Sequence, residues 1–546
     1  MKNRRRRAKK TGVAYMSEIK WTILDNSNIV ESYPGITLPL TYSFIKIAYR
    51  GVFQGLVSAS INNDMIVSRY ADVLDNMVTS YKGRIYYCIN NWYSLIDFMP
   101  FSKKVIPIWQ DMMGVQDHEV YLGRQHRFTP LQKTKMYWSM LKNAMRIPKE
   151  MARLHSDFTS VKQYFDENYN TELSISELLS LFSEIERRVL KKWYVTLSND
   201  MYAFIWTGIL KRKLTKKGID VAEYISGISS LESLKPIKRL LEIAKQHGDN
   251  ADVLQTTEVQ EYLREYGDRS PCELKLEAMT YRESPSLLEQ KIREYASDKK
   301  RLDEMLQALA CEETPARNTF VVKRARLGIQ NREISRLNRS RIYGMVRRIF
   351  ITIGERLYQN GHIDEPSDVF YLEIGEIQNG VPAEYRQIIS NRKIEYAEYE
   401  KLPAHSRIVF RGDGGASPLF SDCTTIGMSS RSLNSRNSLN SFTGIGTSSG
   451  SITAEAVVLE SPNDSVDVKG KIIVTKTTDP GWVFLLTMAG GIVAEKGSLL
   501  SHTAIVSREL KIPAVVAVEN ITSLIKSGDI IKIDGKTGRI DIVRAN

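Results

Sequence analysis

Apolar residues recur at three- and four-residue spacing through most of the chain from about residue 17 to 425. In charged stretches such as 171–197, 231–246 and 287–310 this spacing predicts amphipathic helices. One segment departs from it: Gly83-Arg84-Ile85-Tyr86-Tyr87-Cys88-Ile89 is aromatic and β-prone, and reads as a hairpin or edge strand. Periodicity then disappears over 427–441, where Ser and Asn dominate, and a flexible linker is expected there. Beyond it the apolar runs become short. Strands are predicted at 454–459, 471–474, 491–494, 514–518 and 530–533, with turns at Asp534-Gly535 and Thr537-Gly538. Gly444 to Gly450 lacks the spacing of a nucleotide loop and leads into a strand rather than a helix, so it reads as a turn. The pattern as a whole describes a multi-domain α+β chain: a basic arm at 1–16, a large, mainly α-helical domain at 17–426, the linker, and a small α/β domain at 442–546.

Composition sharpens this outline without changing it. A chain of 546 residues with 42% hydrophobic content is too long for one core and rich enough in apolar side chains to fold without covalent staples. Cys88, Cys272, Cys311 and Cys423 lie far apart and form no metal-binding or disulfide pattern, so no structural metal is expected and a cytoplasmic location is. No apolar run is long enough to span a bilayer, and no signal-peptide core follows the basic start. The net charge is +13, but seven of the basic residues lie among the first ten, leaving +6 on the large remainder. That arm reads either as a contact for nucleic acid or an acidic membrane, or as an inert extension, and the inert reading is expected.

Candidate chemistry centres on His502. The run Gly491 to Ala494 reads as a buried strand, a glycine-bearing loop with Lys496 follows, and a short helix opens at Ser501, a good N-cap, to be stopped by Lys511-Ile512-Pro513. A helix N-terminus offers unpaired N–H groups and partial positive charge, which favour neutral imidazole and stabilise an attached phosphoryl group. Neutral imidazole keeps a lone pair for attack on phosphorus. Gly497 leaves room beside the ring for a bulky phosphate donor. A histidine at a strand–helix junction is otherwise a satisfied structural residue, and the surrounding string decides between the two. From Gly490-Gly491 through Ser501-His502-Thr503-Ala504 to Ser507-Arg508-Glu509 and Ile512-Pro513-Ala514-Val515, it resembles the phosphohistidine swivelling domain of the phosphoenolpyruvate-utilising enzymes, shared by pyruvate phosphate dikinase, phosphoenolpyruvate synthase and rifampicin phosphotransferase. Ser498, Thr503 and Ser507 depart mildly from that pattern, and Leu500 replaces the threonine used for regulatory phosphorylation in dikinases and synthases, so that control is expected to be absent. Thr477-Thr478-Asp479-Pro480-Gly481-Trp482 resembles a further family segment, or is a turn in which Asp479 caps a helix and Pro480 opens it.

Weaker strings extend the resemblance toward the acceptor-binding part of rifampicin phosphotransferase and phosphoenolpyruvate-synthase-like proteins: Tyr33 to Ser43, Gly83 to Tyr87, Arg332-Glu333-Ile334-Ser335-Arg336 and Ser367 to Leu372. Arg332 and Arg336 stand four apart on a predicted helix and form either a clamp for a phosphoryl group in flight or part of a solvated basic face, since Arg339, Arg341, Arg347 and Arg348 follow. The resemblance implies catalytic roles for His502, Arg332 and Arg336, with Gly497, Ser501 and Thr503 around the bound phosphoryl donor. Tyr42, Phe44, Tyr86, Tyr87, Trp92, Tyr93 and Phe98 are candidates for an acceptor pocket, or simply core. Complete family members add an ATP-grasp domain or a pyruvate-binding barrel, and neither is recognisable here. The expected activity is therefore that of a phosphotransferase component. His502 takes a phosphoryl group from ATP and Mg²⁺ on a separate ATP-grasp subunit, or from phosphoenolpyruvate, and passes it to a small-molecule acceptor, with no membrane or nucleic-acid partner. The alternative is a non-catalytic binding or regulatory protein that keeps the fold.

Overall fold

The computed structural model describes residues 20–26, 28–61, 67–68, 70–96, 102, 106, 109, 129–219, 221–225, 234–270, 272–310, 319–412, 441–460, 466–478, 482–518 and 520–544. The arm at 1–16, the 427–440 part of the expected linker, Phe98 and Asp479-Pro480 lie outside these residues.

The helical region is organised by one long helix, Phe320–Gln359, capped by Thr319, whose side chain accepts from the Val322 amide. Its C-terminal half is buried among helices Pro39–Ile61, Pro130–Asn168, Ile175–Arg188 and Tyr194–Thr215, in a core that includes Phe44, Phe182, Ile349 and Phe350. The helix Tyr194–Thr215 crosses it at a point made for close approach. A Cβ on Gly328 would stand 2.8 Å from Ala203 Cα, and the Gly328 carbonyl accepts from Asn199 Nδ2 at 3.0 Å. Gly328→Val forces these helices apart, and overpacking of this kind costs about 1–3 kcal/mol. A thermal melt should show a midpoint several degrees below that of the unaltered chain, and an unchanged midpoint would mean that the crossing yields freely.

Two of the predicted helical stretches are broken. The 171–197 stretch becomes the helix ending at Arg188, a single 3-10 turn at Leu190–Lys192 and a new helix from Tyr194. The 287–310 stretch divides into Pro285–Ala296 and Lys299–Ala310. The β-prone segment is a strand of a hairpin, β2 (Val78–Tyr81) and β3 (Arg84–Cys88), turning through Lys82 and Gly83 at positive φ. With β1 (Lys20–Asp25) and β4 (Arg407–Gly412) it makes a sheet ordered β2-β3-β1-β4.

The C-terminal region is an eight-stranded sheet. Parallel strands β7 (Ser451–Leu459), β8 (Ile472–Thr475), β9 (Gly491–Ala494) and β10 (Ala514–Val516) form its centre, in runs of Val, Ile and Ala that suit strands covered on both faces. Antiparallel strands β11 (Ile530–Asp534), β12 (Arg539–Arg544) and β5 (Ser441–Thr443) extend it beyond β7, and β6 (Ile445–Ser448) extends it beyond β10. The sequence reading of Gly444–Gly450 as a turn is corrected here. Ile445 to Ser448 pair with β10, and the turn is confined to Gly450, at φ 120°.

One face of this sheet closes over its own core of Ile472, Val474, Ile531 and Ile533. The other is continuous with a core of the helical region, in which Trp482, Leu486, Ile505 and Ile512 share a cluster with Leu241, Ile292, Tyr295 and Met305. Polar ties frame the contact. Arg301 donates to the carbonyls of Thr487 and Ala489 at 3.0–3.2 Å, and Lys469 pairs with Asp298 at 2.6 Å. Among the described residues no helix is long and apolar enough to cross a membrane.

Candidate active site at His502

His502 opens the helix His502–Glu509 behind β9. Ser501 has extended backbone geometry and its hydroxyl accepts from the Ala504 amide at 3.4 Å, which fixes where the helix starts and hence where the ring projects. The loop before it is pinned from below. Arg508 donates to the Leu499 carbonyl at 2.9 Å and to Thr447 at 3.3 Å, and Leu500 is buried in the shared core. Gly497 sits at φ 138°, and a Cβ there would meet Val516 at 2.9 Å and the Ser501 hydroxyl at 3.2 Å. Glycine is thus required by the loop itself. Thr503 Oγ1 lies 2.5 Å from Thr478 Oγ1, which ties the helix to the segment after β8.

The long helix presents its charge to this ring. Arg332, Arg336, Arg339 and Tyr343, at steps of four, three and four residues, share one face and line the same cavity as His502. The fully buried Glu333 stands between them. Its Oε1 accepts from Arg336 Nη1 at 3.1 Å, and its Oε2 faces His502 Nδ1 across 4.0 Å. Arg332 pairs with Asp200 at 3.5 Å. Both ring nitrogens of His502 are buried and without a hydrogen-bond partner. A carboxylate facing Nδ1 favours the Nδ1–H tautomer and leaves the lone pair on Nε2.

Burial, and then the nearby guanidinium groups of Arg336, Arg269, Arg339 and Arg332, hold the His502 pKa well below its ordinary 6.5. That direction favours a neutral ring at neutral pH. Because its folded pKa is depressed, the unfolded chain takes up a proton that the folded chain refuses once pH falls through about 6.5, and stability is lost over that acid window. His502→Gln lacks this term. Thermal midpoints measured from about pH 7.5 down to 5.5 should therefore converge on, or cross toward, the Gln variant in acid, whereas parallel curves would mean that the ring titrates normally.

The cavity, of about 320 Å³, lies between the helical region and the C-terminal domain. Its charged groups are Arg332, Arg336, Arg339, Lys496 and Asp200, and its apolar wall is largely aromatic. Tyr33 and Tyr343 meet hydroxyl to hydroxyl at 2.5 Å, and Trp92 packs edge-on against Tyr87 at 5.6 Å and against Phe53 at 5.1 Å between ring centres. Trp193 and Phe204 close the side formed by the helix Tyr194–Thr215.

Of the residues expected from sequence, His502, Arg332, Arg336, Gly497 and Ser501 come together on this cavity. Thr503 does not: its hydroxyl is engaged by Thr478, so it holds the loop. Of the aromatic candidates, Tyr87 and Trp92 line the cavity, while Phe44 and Tyr93 are packed into the main core and Tyr86 into a small core behind the sheet. Sequence reasoning missed Glu333, Asp200 and the lining tyrosines Tyr33, Tyr49 and Tyr343. Two of them stand in strings that resemble the family, Glu333 inside Arg332–Arg336 and Tyr33 at the head of Tyr33–Ser43; Asp200, Tyr49 and Tyr343 carry no such signal.

Known proteins resemble parts of this chain. Residues 467–538 match the PEP-utilising enzyme mobile domain. That match falls within the C-terminal domain and includes His502. The chain is similar to rifampicin phosphotransferase of Bacillus subtilis, with 31% identity over 59% of this chain and 39% of the relative, and to rifampicin phosphotransferase of Bacillus cereus, with 30% identity over 52% and 34%. An uncharacterized phosphotransferase of B. subtilis matches at 26% identity over 70% of this chain and 47% of its own length. The chain thus spans less than half the length of these curated relatives.

Proposed function

We propose that the chain is a phosphotransferase component in which His502 carries a phosphoryl group to a small-molecule acceptor seated in the aromatic cavity. The observation that carries this reading is a neutral, unpartnered imidazole on the wall of a cavity whose opposite side is a row of arginines. In the first half-reaction the Nε2 lone pair forms a P–N bond as the donor's P–O bond breaks. In the second, an acceptor hydroxyl oxygen attacks phosphorus, the P–N bond breaks with its electron pair returning to the ring, and the hydroxyl proton passes through the freed imidazole to solvent. Arg332 and Arg336 neutralise the charge on the phosphoryl oxygens during delivery. Gly497 and Ser501 would border the phosphoryl donor when the ring is loaded away from this cleft.

The cavity fits a phosphoryl dianion better than a hydrated divalent cation, since the one carboxylate that lines it, Asp200, and the buried Glu333 behind the arginine row are each already joined to an arginine. ATP and Mg²⁺ therefore belong, in this reading, to a separate ATP-grasp subunit, with phosphoenolpyruvate as the alternative donor. Burial of both ring nitrogens supports a carrier that is loaded away from this cleft, on a domain released by its linker. The test is incubation of the chain with β- and γ-labelled ATP and an ATP-grasp partner, and separately with labelled phosphoenolpyruvate. Acid-labile, alkali-stable label on the chain is expected with one of them. Failure of every donor to label it would leave the non-catalytic binding protein.

A further inference from the structure

The helix Pro130–Asn168 has two apolar faces. One holds it to the protein: Met136, Ile147, Met151 and Leu154 are buried, and Ser139 and Asn143 donate to the Ala59 carbonyl. The opposite face is apolar and open to solvent, with Leu131 66%, Trp138 69%, Leu141 53% and Met145 68% exposed. Scattered apolar residues on a surface need no explanation, but a contiguous stripe this long marks a contact surface.

The stripe has a register. Leu131, Trp138 and Met145 are seven apart at successive a positions of a helix–helix seam, and Leu141 takes the d position between the last two, with Thr134 and Pro148 at the flanking d positions. In that register Lys135, Lys142 and Lys149 occupy successive e positions, and no acidic residue occurs in the helix before Glu150. A helix lying in a membrane interface carries a broad apolar face opposite a strongly charged polar one. Here the face opposite the stripe is buried protein, and the lysines repeat every seven residues along one edge of a narrow seam. In a helix pair such edge positions select opposite charge on the partner.

We propose that this face docks an amphipathic helix of a partner protein, with apolar residues in matching heptads and Glu or Asp along the edge facing Lys135, Lys142 and Lys149. The surface is independent of the phosphoryl-transfer reading, because none of its residues lines the His502 cavity.

The probes are two labelled three-heptad helical peptides with Leu at a and d, one carrying Glu and the other Lys at e and g, and vesicles of mixed phosphatidylserine and phosphatidylcholine. Binding to the full chain is followed by fluorescence anisotropy and by Trp138 emission. The Glu peptide is expected to bind and the Lys peptide not to. Trp138→Glu with Met145→Glu should weaken binding about tenfold or more, as loss of a central aromatic anchor does. Lys135→Glu, Lys142→Glu and Lys149→Glu together should invert the preference between the peptides. Circular dichroism confirms that these outward-facing variants fold. Equal binding of both peptides, indifference to the substitutions, binding of the vesicles instead of the peptides, or a self-association of the chain abolished by Trp138→Glu would each overturn the proposal.

Discussion

His502→Ala is expected to reduce phosphoryl transfer to background, a loss on the order of 10⁶, the scale seen when a covalent nucleophile is removed. The same variant should take up no acid-labile phosphate from any donor. His502→Gln should be equally inactive, because an amide has no lone pair of comparable basicity to form the P–N bond. Neither substitution should unfold the chain. The ring makes no hydrogen bond that would be orphaned, and the loop that carries it is held by Ser501, Arg508, Leu500 and Thr503. Melting curves alongside the labelling assay separate the two effects. Transfer retained in a folded alanine variant would remove the histidine from the mechanism.

Arg336→Ala has the second-largest expected effect, and a different signature. The guanidinium is on the helical region and lines the cavity with His502, so if His502 is loaded away from this cleft, as proposed, loading by its donor should persist while delivery fails. Removal of one preorganised charge from a developing phosphoryl transition state costs roughly 10²–10³ in rate. Phosphorylated chain should therefore accumulate, and discharge to acceptor should slow by that factor. Arg336→Lys restores charge without the fork geometry and should recover part of the loss. The alanine change also removes the ion pair that Arg336 makes with the fully buried Glu333, so stability must be measured alongside. A variant that loses loading and delivery equally would place Arg336 in support of the ring itself instead of in the clamp.

The site was legible in sequence where its determinants are local. Strand β9, the Ser501 cap, the helix of His502 and the Lys511 stop lie within about thirty residues, and each follows from period, capping chemistry or positive φ. Arg332 and Arg336 were legible for the same reason, as neighbours on one helical face. The cavity wall was not. Tyr33, Phe53, Trp193 and Phe204 come from segments far apart in the chain; Phe53 and Phe204 follow the same period as core residues on their helices, and Tyr33 and Trp193 sit in connections between helices, so spacing cannot distinguish lining from packing. Glu333 was overlooked because the string was read for its cations, and a single carboxylate between two arginines looks like charge balance until Nδ1 of His502 is placed 4.0 Å away. The β6 strand was hidden by Gly446 and Ser448 and by the glycines that flank it: edge pairing with β10 is a tertiary contact that overrides local turn preference. The breaks near residue 189 and residue 297 were equally hidden, because the apolar period runs on through them.

The most direct measurement is the position of the phosphate. After incubation with the donor that labels the chain, digestion at alkaline pH and mass spectrometry should find one phosphoryl group, on the peptide containing His502, lost on brief acid treatment. Phosphate on another residue, or an unmodified His502 in a chain that still transfers phosphate to an acceptor, would contradict the account.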